Sequence, residues 1–229
     1  MSPELRHFDR GGRRIANRLR SGAAPTLVFL PGYASDMEGT KALALDAFAD
    51  ARGLSMLRFD YAGTGSSSGD FEDGTLGLWL EDALEAVDQL TEGPLILVGS
   101  SMGGWIGLHL ALLRPERVAA LVGIAAAPDF TEWGFADGDD AVARGIARAL
   151  WESGQRLLLL DGEIPIDCPV RLLHGEADRE VPLDVAFRLM RSLRSSDVQL
   201  NVLKGGGHRL SEPHEIQTIQ ATVEALLEP

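Results

Sequence analysis

A serine lies at the centre of the Gly-x-Ser-x-Gly motif formed by residues 99–103. A fully apolar run, residues 95–98, precedes the motif, and a long apolar segment follows it. This order predicts a strand, a tight turn and a helix, a setting that exposes Ser101 above the end of a sheet as a nucleophile. The flanking glycines leave room for the sharp bend. The backbone N–H of Met102, at the start of the helix, is predicted to stabilise an oxyanion formed there.

A second oxyanion donor is predicted at the end of an earlier apolar strand, residues 26–30. Pro31 and Gly32 follow this strand, and a glycine at this point lets the backbone approach a substrate closely. The N–H of Tyr33 is therefore the predicted donor. Because sites in parallel sheets form where strands end, we expect this group near Ser101.

The predicted base is His208, which follows the last strand-like run, residues 198–203. Gly205–Gly207 precede it and give the loop the freedom to fold back toward Ser101. Of the five histidines in the chain, His208 is the one in a glycine-rich loop after a strand.

The predicted acid is Asp178, which follows the strand-like run 170–174, where a carboxylate that orients a histidine belongs. Glu176 is the second choice for this acid, and Asp129, after an earlier strand, is the third. His174, Glu176 and Asp178 would also share one side of an extended chain, as metal ligands do. No Cys/His cluster supplies a fourth ligand, so a metal is not expected.

Apolar strands alternate with amphipathic helices from Thr26 onward, which predicts an α/β fold with a mostly parallel, doubly wound sheet. Before it, residues 5–8 and 14–19 flank a glycine turn and predict an N-terminal antiparallel hairpin. The length of 229 residues suits a single domain, residues 1–229. Further strands are predicted at residues 55–59 and 118–125, and helices at residues 39–52, 75–90, 102–113, 183–193 and 213–227.

Residues 128–165 interrupt this alternation and are predicted to form a short helical lid over the site. Apolar residues at helical spacing predict a helix over residues 139–151. The large aromatic side chains of this insertion are predicted to line an acyl pocket above Ser101; the alternative is that they only seal the lid against the sheet. They are Phe130, Trp133, Phe135 and Trp151.

The composition limits the classes of binding partner and the cellular locations that are expected for this protein. A net charge of −13 argues against nucleic acid or an anionic membrane surface as a partner. The longest apolar stretches fall short of the ~20 residues that span a bilayer, so stable membrane insertion is not expected. The single cysteine, Cys168, excludes an internal disulfide, and the chain starts close to its first hairpin. These features favour a cytoplasmic location.

Several short stretches extend the pattern around Ser101. They are Leu30-Pro-Gly-Tyr33, Gly39-Thr-Lys-Ala-Leu43, Arg58-Phe-Asp-Tyr-Ala-Gly-Thr-Gly-Ser66, Thr75-Leu-Gly-Leu-Trp79, Val98-Gly-Ser-Ser-Met-Gly-Gly-Trp105, Ile166-Asp-Cys-Pro-Val-Arg-Leu-Leu-His-Gly175 and His208-Arg-Leu-Ser211. In them the chain resembles the α/β-hydrolase superfamily and, more narrowly, the mitochondrial abhydrolase-domain acyl-protein thioesterases, also described as acyl-glucuronide esterases, and their bacterial relatives. The resemblance implies an α/β-hydrolase fold with nucleophile, acid and base on Ser101, Asp178 and His208, in the chain order typical of that fold. Residues 128–165 depart from the family, because they look shorter than its lid.

The predicted reaction is acyl transfer to water. His208 takes the proton of Ser101, which attacks an ester or thioester carbonyl to form an acyl-enzyme, while Asp178 holds the imidazole. This chemistry needs no cofactor and no metal. The predicted substrate is a small carboxylic ester or thioester, with an acylated protein as a further candidate.

Other functions share this fold. Carbon–carbon bond hydrolases and cofactor-free perhydrolases keep the serine and stay open as alternatives. Dehalogenases and epoxide hydrolases carry an aspartate in place of Ser101 and are disfavoured. A non-catalytic binding protein is the alternative from another class; such proteins usually lack one member of the triad, whereas this chain keeps all of them.

Overall fold

The computed structural model describes residues 2–227, and within them the strands form one eight-stranded sheet. The strands are β1 (Arg6–Arg10), β2 (Arg13–Arg20), β3 (Ala23–Leu30), β4 (Leu54–Phe59), β5 (Leu95–Ser100), β6 (Val118–Ile124), β7 (Val170–Gly175) and β8 (Val198–Leu203). The α-helices are α1 (Thr40–Arg52), α2 (Leu76–Leu90), α3 (Met102–Leu113), α4 (Phe130–Trp133), α5 (Gly138–Ala143), α6 (Arg148–Gln155), α7 (Leu183–Ser192) and α8 (Pro213–Ala225).

The order across the sheet is β1-β2-β4-β3-β5-β6-β7-β8. β1 and β2 pair antiparallel, and β2 is joined to the rest of the sheet by antiparallel pairing with β4. All the other neighbouring strands are parallel. The predicted mostly parallel sheet with an antiparallel N-terminal hairpin is therefore confirmed. Because parallel strands end at one edge, the turns after β3, β5, β7 and β8 meet there.

Helices bury both faces of the sheet, since side chains along a strand alternate between the faces. In β3, Val28 and Leu30 belong to an apolar core that α2 and α3 complete. Leu27 and Phe29 belong to a second core, on the opposite face, with α1 and α8. Burial on both faces explains why the strands appear in the sequence as continuous apolar runs.

Residues 128–165, called the lid segment below, contain α4, α5 and α6. The single helix predicted over residues 139–151 is wrong, because the chain leaves the helix after Ala143. Gly145 adopts a φ of +87°, a left-handed conformation that ends helices and that glycine favours. α5 and α6 are consequently only 6 and 8 residues long.

Outside the lid segment, every predicted strand and helix is present, and the bounds differ only at the ends. β5 continues to Ser100, directly before the serine turn. Thr75, predicted as the first residue of a helix, is instead the N-cap of α2, and its hydroxyl accepts the N–H of Leu78 at 3.1 Å. The strand ends that matter for function are therefore where the sequence places them.

Candidate active site

Ser101 occupies the turn between β5 and α3 with φ and ψ of 54° and −119°. A positive φ is unfavourable for a residue with a side chain and persists only where the surroundings enforce it. A Cβ on Gly99 would collide with the backbone of Gly103, and a Cβ on Gly103 would collide with the carbonyl of Leu30. The N–H of Ser101 donates to the carbonyl of Ile124 at 2.9 Å, which fixes the turn to β6.

The imidazole of His208 lies between Ser101 and Asp178. Its Nε2 is 3.1 Å from Oγ of Ser101, and its Nδ1 is 2.9 Å from Oδ2 of Asp178. With Nδ1–H donating to the carboxylate, Nε2 is free to accept the proton of the serine hydroxyl. The structure thus brings together the side chains predicted as nucleophile, base and acid, from the ends of β5, β8 and β7.

The Asp178 carboxylate is fully shielded from solvent, with a side-chain exposure of 0%. Burial alone would raise its pKa, but the hydrogen bond from His208 and the N–H groups of Val181 and Glu180 together lower the pKa below the ordinary value. Both N–H groups donate to Oδ1, at 3.0 and 2.9 Å. Asp178 is therefore held as a carboxylate beside the imidazole.

The other two carboxylates considered as the acid have different partners. Glu176 accepts the N–H of Gly205 at 3.1 Å, at the start of the glycine-rich loop. Asp129 accepts the N–H groups of Leu159 and Leu160. Since neither carboxylate is hydrogen-bonded to His208, the geometry favours Asp178 as the acid.

The His174 side chain, a candidate metal ligand in the sequence, is buried beside Asp178. Its Nε2–H donates to the carbonyl of Val181 at 3.0 Å and lies 3.6 Å from Oδ2 of Asp178. Within residues 2–227, no group of three or more His, Cys, Asp and Glu side chains is arranged to hold a metal ion.

Two backbone N–H groups flank Ser101. Gly32 lies against the serine turn, where a Cβ would be 3.3 Å from Cβ of Ser101. Tyr33 follows it, and Met102 opens α3 on the other side. Neither N–H donates a hydrogen bond to any of residues 2–227. Both predicted oxyanion donors are therefore unpaired beside the serine.

A small cavity of about 210 Å³ opens above Ser101 and His208, with mostly apolar residues in its lining and Arg144 and Glu180 at its border. Phe130, Trp133 and Phe135 of the lid segment line it. Trp151 does not; its indole packs against Gly138 at the start of α5. Trp151 belongs to α6, which begins after the break at Gly145.

A larger cavity, of about 540 Å³, opens on another side of Ser101. Its lining is mainly polar and includes Ser35, Asp36, Thr40, Lys41, Glu180, Arg209 and Ser211. The cavity reaches Ser101 and His208, so both cavities open onto the serine.

Sequence reasoning missed Lys41 and Glu180. Lys41, in the first turn of α1, donates from Nζ to the carbonyl of Arg209. Oε2 of Glu180 lies 3.6 Å from Nε2 of His208. Lys41 lies in the stretch Gly39-Thr-Lys, but no spacing in the sequence connects this stretch to a loop so distant in the chain. For Glu180, the sequence offered only its closeness to Asp178.

Buried polar groups join the two ends of the lid segment and attach it to α3. The Asp129 carboxylate accepts the N–H groups of Leu159 and Leu160 at 2.7–3.0 Å, and burial raises its pKa despite these bonds. Trp105 and His109 of α3 donate to the carbonyl of Leu157 at 3.1 and 2.9 Å. The backbone of residues 157–160 is thus bonded to Asp129 through its N–H groups and to α3 through a carbonyl group.

Comparison with known proteins extends the agreement beyond the site. A family model described as alpha/beta hydrolase fold matches residues 25–142. The human protein named palmitoyl-protein thioesterase ABHD10, mitochondrial, is 37% identical over 234 residues, which cover 93% of this chain and 76% of that protein. The solved structure of alpha/beta hydrolase domain-containing protein 10 from mouse superposes with a TM-score of 0.92 at 34% identity and covers 98% of both chains. A putative hydrolase from Agrobacterium vitis S4 superposes with a TM-score of 0.90 at 38% identity, again over 98% of both.

The relatives correct one expectation from the sequence. The proteins from Homo sapiens, Pongo abelii and Bos taurus all carry the word mitochondrial in their names, so the expected cytoplasmic location is wrong. A lone cysteine excludes an internal disulfide but does not distinguish one reducing compartment from another. Separately, no helix within residues 2–227 is long and apolar enough to cross a membrane.

The sequence and the structural comparisons lead to the same group, and both extend far beyond the short serine motif. They also agree with the sheet order, in which an antiparallel hairpin precedes six parallel strands. The predicted fold and family are therefore confirmed: this chain belongs to the α/β-hydrolase family, within the group that includes the palmitoyl-protein thioesterase ABHD10.

Proposed function

We propose that this protein is a serine hydrolase that cleaves acyl thioesters and carboxylic esters through an acyl-enzyme on Ser101. The observation that carries the proposal is the continuous line of hydrogen bonds from the Ser101 hydroxyl through His208 to Asp178, at 3.1 and 2.9 Å. The thioester class is supported by the name of the human relative, a thioesterase at 37% identity.

Acylation begins with proton transfer. His208 Nε2 accepts the hydroxyl proton as Oγ of Ser101 attacks the substrate carbonyl, and the Asp178 carboxylate stabilises the resulting imidazolium. The imidazolium then protonates the leaving thiol or alcohol. In the second half, His208 takes a proton from water, which attacks the acyl-enzyme and releases the carboxylic acid. Such proton transfer contributes roughly 10²–10⁴-fold in rate.

The N–H groups of Tyr33 and Met102 stabilise the oxyanion of both tetrahedral intermediates. Their lack of other partners supports this role, because a donor held ready needs no rearrangement when charge develops. The Met102 N–H also adds the positive end of the α3 dipole. Each donor of this kind is worth ~3 kcal/mol of barrier in comparable enzymes.

The two cavities divide the substrate between them. The acyl chain occupies the apolar cavity under Phe130, Trp133 and Phe135, and the leaving group occupies the larger polar cavity. The acyl cavity, at about 210 Å³, is smaller than the ~300–1,000 Å³ common for ligand sites, which favours medium acyl chains. The palmitoyl group in the name of the relative is longer than a medium acyl chain. The preferred acyl-chain length is therefore the property in which this protein and that relative would differ.

Two alternatives have less support. Carbon–carbon bond hydrolases and perhydrolases use the same serine, but the relatives named thioesterases favour ester and thioester cleavage. A non-catalytic binding protein would have no need for a histidine hydrogen-bonded to both a strained serine and a buried carboxylate.

The test is active-site labelling. An organophosphonate probe should modify the protein at Ser101, as located by mass spectrometry, and Ser101→Ala should abolish both labelling and hydrolysis of p-nitrophenyl and thioester substrates. Ser196→Ala, at an exposed serine, is the matched control and should behave as wild type. Full hydrolysis by Ser101→Ala would end the proposal.

A further inference from the structure

The loop that carries His208 has little rigidity of its own. Gly205 has a φ of +72°, and Gly205 and Gly207 are exposed. On the side that precedes His208, the Gly205 N–H donates to Glu176 at 3.1 Å, and the Gly206 carbonyl accepts the Ala177 N–H at 2.9 Å. Because the glycines give this backbone more conformational freedom than other residues would, the position of the imidazole depends on such attachments.

On the side that follows His208, Leu210 is buried in the core, and Lys41 adds a hydrogen bond next to the imidazole. Nζ of Lys41 donates to the carbonyl of Arg209, the residue directly after His208. Lys41 lies on α1, which is itself fixed to the sheet because Asp46 of α1 pairs with Arg20 at 2.9 Å and with Arg58 at 3.4 Å. The donor therefore stands on a rigid base.

The Lys41 side chain is partly shielded from solvent and lies between groups of both charges. Burial lowers the pKa of Lys41, the Glu215 carboxylate opposes that shift, and Arg209 adds to it. Glu215 is buried at the start of α8 and lies beside Gly206, where an added Cβ would be 3.2 Å from its Oε1. Glu215 thus lies beside the glycines that precede His208, and Lys41 bonds to the residue that follows it.

A nearby carboxylate makes this control important. Oε2 of Glu180 is 3.6 Å from His208 Nε2, the same nitrogen that faces Ser101 at 3.1 Å. A small displacement of the imidazole would exchange the serine for this carboxylate, which is attractive once His208 is protonated. Productive geometry then depends on where the backbone holds the ring.

We infer that Lys41 is a positioning residue for the base: by holding the Arg209 carbonyl, it keeps His208 directed at Ser101 instead of Glu180. This inference rests on the proposed function, because it assigns His208 the role of base. Lys41 itself does not touch the reacting atoms.

The experiment compares Lys41→Met, which keeps most of the stem but removes the donor, with Lys41→Arg, which keeps a cationic donor. With p-nitrophenyl butyrate, whose leaving group is small and uncharged in the substrate, Lys41→Met should lower kcat by about 10- to 100-fold, as misplacement of a catalytic group does. KM should change by less than about threefold, since kcat and KM separate positioning from binding. Lys41→Arg should recover most of kcat, and Glu180→Gln added to Lys41→Met should recover part of it.

The matched control is Lys204→Met. Lys204 is the other lysine of the chain, exposed and directly before the glycine-rich loop, so this variant removes the same charge without the hydrogen bond. It should keep wild-type kcat. Thermal unfolding of both Met variants should stay close to wild type, which separates misplacement of His208 from loss of fold.

A second readout does not need turnover. The proton shared between His208 Nδ1 and Asp178 should give a downfield NMR resonance in wild type and Lys204→Met and a broadened or missing one in Lys41→Met. A retained resonance with unchanged kcat would overturn the inference. The inference would also be overturned if Lys41→Met only raised KM for an S-acyl glutathione, because Lys41 would then bind an anionic leaving group. An inactive, unlabelled wild type would refute the proposed function, while the resonance would still decide the role of Lys41.

Discussion

The strand-end turns and the lid segment both surround Ser101, but they are held in place differently. Ser101, Asp178 and His208 follow on β5, β7 and β8, whose register is set by pairing within the sheet. The lid segment consists of α4, α5 and α6, which are 4, 6 and 8 residues long. Helices this short do not form alone, so the lid segment takes its shape from contacts with the rest of the protein.

This difference separates reaction class from selectivity. The turns that hold the reacting groups allow little variation, because the backbone around Ser101 excludes side chains at Gly99 and Gly103. The lid segment supplies part of the lining of the proposed acyl cavity, and a change of one aromatic residue alters that cavity without touching the serine turn. Variants at strand ends should therefore change the rate, and variants in the lid segment should change the choice of substrate.

The largest effect is expected from Asp178→Asn. The amide would disturb the tautomer of His208 without emptying space, and we expect kcat for p-nitrophenyl butyrate to fall by roughly 10⁴-fold, as for the equivalent change in a serine protease. Folding should be nearly unaffected. Steady-state kinetics at neutral pH measures the effect.

Glu176→Gln is the matched control for the acid, since Glu176 is also a carboxylate on the loop after β7 but contacts Gly205. It should lower kcat only slightly. If the two variants exchanged their effects, the acid would be Glu176. Because the three side chains act as a unit, adding Asp178→Asn to Ser101→Ala should cost little beyond Ser101→Ala alone.

The strand-end turns could be predicted from the sequence because few backbone conformations are compatible with their residues. Gly99 and Gly103 around a serine leave one turn geometry, and glycines before His208 mark a loop that must bend. The choice between Glu176 and Asp178 needed the structure. Residues so close in a loop differ in the direction of the side chain, which depends on backbone bonds such as those from Glu180 and Val181 to Asp178.

The lid segment could be predicted only in outline. Apolar spacing over residues 139–151 favoured one helix, but the left-handed backbone at Gly145 divides it, and this moves Trp151 away from the acyl cavity. The contact between Lys41 and Arg209 could not be predicted for another reason. The two residues are distant in the chain, and no periodic pattern connects them.

A middle-sized effect is expected on acyl-chain selectivity. For p-nitrophenyl esters, kcat/KM should rise from acetate to octanoate, because each buried methylene contributes ~0.8 kcal/mol, and then fall for palmitate, which exceeds the cavity. Trp133→Ala removes a wall of the cavity and should lower the octanoate-to-acetate ratio by about tenfold, chiefly through KM, with acetate little changed.

Trp151→Ala is the matched control, since it removes the same side chain from the same segment but outside the cavity. It should keep the wild-type profile, although stability falls. A wild-type preference for palmitate over octanoate would reject the shallow acyl cavity. An unchanged profile in Trp133→Ala would show that the lid aromatics only pack the segment onto the sheet.

The smallest effect concerns pH and compares two buried aspartates. Hydrogen bonds lower the pKa of Asp178 although burial opposes this, so its stabilising contribution is lost as pH falls through the lowered pKa. For Asp129, which joins the two ends of the lid segment, the pKa shift has the opposite sign. Burial raises its pKa, and the N–H groups of Leu160 and Leu159 only partly offset this. Its contribution is therefore complete below the ordinary aspartate pKa of ~3.9 and is lost as pH rises through the raised pKa.

Asp129→Asn tests this sign. The amide offers one acceptor where the carboxylate offers two, so the variant should lose about 1–3 kcal/mol of unfolding free energy at neutral pH. The gap between wild type and variant should widen as the pH is lowered toward 4, because only wild type gains stability by binding a proton in the folded state. Urea unfolding at a series of pH values measures the gap, with Asp161→Asn, at an exposed lid carboxylate, as the control that should show neither change. A gap that narrows on acidification would mean that Asp129 is stabilised as a carboxylate, like Asp178, and that the lid segment is attached by the same electrostatics as the strand ends.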